Sequence, residues 1–88
     1  MPSLDQMSEP ELIAELRRAA DTLERLNQEV ARAIERQRFS REAQEVARAA
    51  QDEQAALAAM NRLMDRRRAV EGHLMRVRGQ LRPRKRDE

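Results

Sequence analysis

Between Pro10 and Gly72 the chain has neither proline nor glycine. Those two residues punctuate loops, so their absence over this stretch excludes a fold of short elements joined by tight turns. Cysteine is missing altogether, which excludes disulfides, thiolate catalysis and cysteine-ligated metal centres. Phe39 is the only aromatic residue and His73 the only histidine. A single aromatic is thin for a globular core, and a lone histidine with no partner at helical spacing argues against a histidine metal site. No apolar run approaches the roughly 18 residues that a membrane span requires. The first ten residues lack the basic and apolar regions of a signal peptide. A soluble, cytoplasmic chain is expected.

What the sequence does contain is helix periodicity. Ser8 and Glu11 form the S-x-x-E capping box, with Met7 and Leu12 at staple positions and Pro10 in the first turn, so a helix is expected to start at Glu9. Leu12, Leu16, Ala19, Leu23, Leu26, Val30 and Ala33 then alternate steps of four and three, a coiled-coil-like seam. Ile13, Ala20 and Ile34 widen it on one side. Glu15–Arg18, Asp21–Arg25 and Glu35–Arg38 fall on the opposite face at ion-pair spacing.

The pattern falters at Gln37–Arg41. Gln37 puts a polar residue on the seam, and Ser40 reads as the cap of a second helix. The competing reading is one continuous rod of about 70 residues, roughly 105 Å long at 1.5 Å per residue. The second helix is expected over about residues 41–78, with a seam of Ala43, Val46, Ala50, Leu57, Met60, Leu63 or Met64, Val70, Leu74, Val77 and Leu81. Glu53 interrupts it, and a phase shift is expected near Leu63–Arg67. Gly72 weakens the helix, and Gly79 followed by Pro83 reads as a stop. The expected organisation is a tail over 1–8, a helical hairpin over 9–81 and a basic tail over 82–88.

The fold class expected is therefore all-α: an antiparallel two-helix hairpin, paired with a second copy into a helical-bundle dimer because one seam cannot absorb Ile13, Ala20, Ile34, Ala47 and Leu63 together. A turn at Phe39–Ser40 sets Val46 near Ala33, Leu57 near Leu23 and Met64 near Leu16. The first helix then ends opposite about Arg67. Leu74, Val77 and Leu81 are left as an overhanging stripe fringed by Arg76, Arg78 and Arg82, unless Leu4 and Met7 fold over it. That stripe is the expected partner-binding site.

With no phosphate loop, no tyrosine nucleophile and Ser40 occupied as a cap, no enzymatic role and no cofactor are expected. The function read from the sequence is a small protein-interaction module. Its plan resembles small bacterial or phage helical-hairpin proteins such as secretion co-chaperones, phage assembly factors and inhibitors of larger machines, although no stretch carries a motif of any of them. The alternative is a nucleic-acid-associated protein. From Arg76 to Arg86 there are six basic residues and no acidic one, so Arg84, Lys85 and Arg86 are its candidate phosphate contacts. The lack of stacking aromatics weighs against it, and a membrane role is disfavoured for want of interfacial anchors. Arginine outnumbers lysine seventeen to one, a bias in keeping with GC-rich coding.

Overall fold

Ser8 starts the first helix as its sequence demands. In the computed structural model, which describes residues 3–80, the Ser8 hydroxyl accepts from the Glu11 N–H at 3.3 Å and the Glu11 carboxylate accepts from the Ser8 N–H at 2.8 Å. Helix α1 then runs over Glu9–Phe39, with Glu9 and Glu11 at its positive end and Arg36 and Arg38 at its negative end. A short 3-10 turn, Leu4–Gln6, precedes it. The Ser3 N–H donates to the Gln6 side chain at 3.4 Å, so Ser3–Gln6 and Ser8–Glu11 repeat one device five residues apart.

Helix α2 runs over Ala43–Gln80 and packs antiparallel on α1. The rod is ruled out. Ser40 is extended and closes α1, its N–H donating to the Arg36 carbonyl. Its hydroxyl accepts from the Glu42 N–H at 3.2 Å. Ser40 was expected to cap α2, but that helix begins past Glu42, whose carbonyl receives the Val46 N–H. Three residues, 40–42, make the turn. Gly72 and Gly79 sit within continuous helix without positive φ, so neither breaks it. The molecule is a slab of 64 × 29 × 16 Å.

The seam of α1 is the expected one. The seam of α2 differs. Its innermost row is Val46, Ala49, Glu53, Ala56, Met60, Leu63, Arg67, Val70, Leu74 and Val77, an unbroken alternation of threes and fours with no phase shift, and Glu45, Ala50, Ala59, Met64, Arg66 and His73 are sheltered beside it. Ala49 and Ala56 are buried, whereas Leu57 is 36% exposed. Size explains the choice. Alanine lets the helix axes approach, while leucine at the same level would hold them apart. Glu53 and Arg67 keep seam positions because long side chains carry their charged ends out to water.

The pairing register also differs from the expected one. Gln37 donates to Glu53 at 2.7 Å, Arg36 to Asp52 at 2.8 Å and Arg78 to Glu9 at 2.9 Å. Leu12 packs against Val70 and Leu74. Helix α1 therefore reaches farther along α2 than the apolar pattern suggested, its first turn lying beside Arg78 rather than Arg67. The polar pair Gln37–Glu53 explains the shift. The residue that makes the first seam falter meets the residue that interrupts the second, and satisfying both fixes the register.

Candidate functional site

The shifted register closes the surface that the sequence offered for binding. Leu74 is 7% exposed and forms a cluster with Leu12 and Val70, against which Leu4, Met7, Ile13, Leu16 and Val77 pack. Arg78 is engaged by Glu9. Arg76 lies with one guanidinium nitrogen 3.2 Å from the His73 ring. The 3-10 turn brings Asp5 to 3.8 Å from His73, which is itself 9% exposed. The N-terminal segment thus packs over Leu74 and Val77, so among the described residues no overhanging apolar stripe remains there, while Arg76 and Arg78 stay exposed. Leu81, Arg82, Arg84, Lys85 and Arg86 lie outside the described residues.

The two flanks of the seam are not alike. In a seven-residue pattern each seam has one flank just before it and one just after, and antiparallel helices bring like flanks together. The preceding flank comprises Glu15, Thr22, Glu29 and Arg36 on α1 with Glu45, Asp52, Ala59, Arg66 and His73 on α2. This flank is bridged by charge at two places. Arg36 reaches Glu45 and Asp52, each at 2.8 Å. Arg66 clasps both Glu15 oxygens, at 2.6 and 3.1 Å. The hydrogen bond from Arg66 outweighs desolvation and holds the Glu15 carboxyl below the usual carboxylate range. The same bond raises Arg66, and Glu45 with Asp52 raises Arg36. An open groove of about 480 Å³ lies between these clasps, floored by Leu26, Ala56 and Ala59 and edged by Glu29, Arg32 and Asp52.

The following flank is apolar. It carries Ile13, Ala20, Asn27 and Ile34 on α1, and Ala50, Leu57 and Met64 on α2. No charged residue occupies it until Glu71 and Arg78 near the far end. Ile34 is 39% exposed, beside an open depression that it shares with Gln37, Arg38 and Glu53. Arg17 and Arg38 stand four residues beyond Ile13 and Ile34, and Arg68 four beyond Met64, so the stripe has an arginine border. Met75 is 72% exposed on the adjoining row of α2.

Among the described residues no group of three or more histidine, cysteine or acidic side chains is placed to hold a metal ion. No helix among them is long and apolar enough to cross a membrane. The sequence had signalled this flank through Ile13, Ala20 and Ile34, which widen the α1 seam. It had concealed the α2 half by placing Leu57 in the core. Against known proteins, no family model, curated protein or solved structure matches the chain.

Proposed function

We propose that this chain is a non-enzymatic helical interaction module that works through the apolar flank of its hairpin rather than through one end of it. The observation that carries this reading is the asymmetry of the flanks. Cross-helix ion pairs occupy one side, while the other presents Ile13, Ile34, Leu57 and Met64 at one-sided helical spacing. Partly exposed apolar stripes with a polar border are what helix-in-groove and bundle contacts use. The bordering Arg17, Arg38 and Arg68 are rim charges, which steer encounter more than they add affinity.

The test uses the chain as bait in extracts of its native cells, beside an Ile34→Glu, Leu57→Glu double variant. Both substituted side chains are partly exposed, so helicity should hold. Proteins retained by the first bait and lost by the second support the module. An identical retained set for both baits overturns it. Nucleic-acid binding that falls steeply with salt and disappears on deletion of residues 82–88 would favour the phosphate-contact reading instead.

A further inference from the structure

We propose that the occupant of the apolar flank is a second copy of this chain, docked antiparallel about a two-fold axis at the level of Asn61 and giving a four-helix bundle. The proposal rests on the flank being the working surface, as argued above.

The first support is self-complementarity. On α1 the flank isoleucines are Ile13 and Ile34, and the point midway between them falls between Leu23 and Glu24. On α2 the large flank residues are Leu57 and Met64, and their midpoint lies between Met60 and Asn61. The hairpin register brings these midpoints to about one level, because the cross-helix contacts Glu15–Arg66 and Arg36–Asp52 bracket them on either side. One axis, crossing both helices at right angles, therefore serves both. A two-fold contact requires a patch to match itself reversed, and this one does. Rotation sets Ile13 against the partner's Ile34 and Leu57 against the partner's Met64. On the adjoining row it sets Met75, otherwise 72% exposed, against the small Ala47 of the partner. Every neighbouring helix pair in the resulting bundle is antiparallel, the arrangement short-looped bundles adopt.

Charge gives the second support. The two ionic residues in the α2 seam are Glu53 and Arg67, seven residues either side of Met60. The same axis brings each level with its opposite in the other copy. Arg67 makes only a long ion pair, 3.9 Å to Glu71, and its side chain is 40% exposed, while Glu53 bonds Gln37 through one oxygen. The partner's Glu53 would pair with that exposed guanidinium. Gln54 and Arg68 are matched in the same way on the outer row. One like-charged approach remains, Glu24 beside the partner's Glu24 at the exposed edge.

Cysteine chemistry tests the geometry cleanly because the chain has none of its own. Ala47→Cys and Met75→Cys are made as separate variants, mixed and oxidised gently. The antiparallel dimer gives the mixed 47–75 disulfide. A parallel dimer gives only 47–47 and 75–75 bonds and overturns the proposal. In the double variant a 47–75 bond must still join two chains, since 28 residues of one helix separate the sites by about 42 Å. Sedimentation of the unmodified chain should give twice 10.3 kDa, and Leu57→Glu should halve that mass with its helical circular dichroism intact. A monomer at roughly 100 μM, above the micromolar range in which standard interfaces hold, overturns the dimer. If that monomer still loses its retained proteins on Ile34→Glu, Leu57→Glu substitution, the module stands and the second copy alone is excluded.

Discussion

The two ends of the hairpin are held by different physics. At the far end, Leu12 and Val70 are fully buried, Leu74 nearly so, and Leu4 and Met7 fold over them. Each such large side chain contributes about 1.5–3 kcal/mol by leaving water. At the turn end, the buried seam residues are Ala33 and Ala49, the polar pair Gln37–Glu53 crosses the seam, and Phe39 is 72% exposed. Alanine offers little apolar area, so this end contributes alignment rather than stability. One end holds the molecule together, and the other decides which residues face each other.

The largest expected effect breaks the stable end. Leu12→Ala should cost about 2–5 kcal/mol, as for other leucines removed from well-packed sites; a chemical-denaturation midpoint shifted by less than half of this would show that the cluster is not the main anchor. Next, Ala49→Leu should cost about 1–3 kcal/mol by forcing the axes apart at the turn end. A neutral result would mean that the close approach there is dispensable. A smaller change in the favourable direction is Gly72→Ala, which should gain about 0.5–1 kcal/mol. An added Cβ meets only the flexible end of Arg76, at 3.9 Å, so thermal melting should rise.

The smallest effect concerns Glu15. Its folded carboxyl titrates below the unfolded one because Arg66 donates to it. The pair's contribution is therefore present at neutral pH and is lost as pH falls through the folded value. It should amount to no more than about 1 kcal/mol for a partly exposed pair. Glu15→Gln should flatten the acid limb of the stability profile and leave the region above neutrality parallel to the parent.

Much of this was legible in the residues. The S-x-x-E box fixed the first helix start to the residue, and Gln37 with Ser40 marked the reversal without help from glycine or proline. The α2 seam was not legible from apolarity, because Ala49 and Ala50, or Ala56 and Leu57, differ in size rather than in polarity, and only the approach of the opposing helix selects the smaller. The register went with it, and with the register went the free apolar surface at Leu74 and Val77, which α1 and Leu4–Gln6 cover. The Ser3–Gln6 repeat of the capping device was a visible sign that the N-terminal segment is ordered enough to do so. The apolar flank was half visible through Ile13 and Ile34, and its partner row was hidden behind the misplaced Leu57.

The three-residue reversal at Ser40–Glu42 also governs time. Zipping outward from the turn, where each step gains little, would bring Leu12 to Val70, fifty-eight residues away, last. On that order the tightest packing consolidates after the barrier. Residues that consolidate after the barrier alter the escape rate rather than the entry rate. Leu12→Ala should therefore steepen unfolding many-fold in stopped-flow measurements while leaving refolding nearly untouched, so the lifetime of the native chain rests on a clasp at the end farthest from where folding begins.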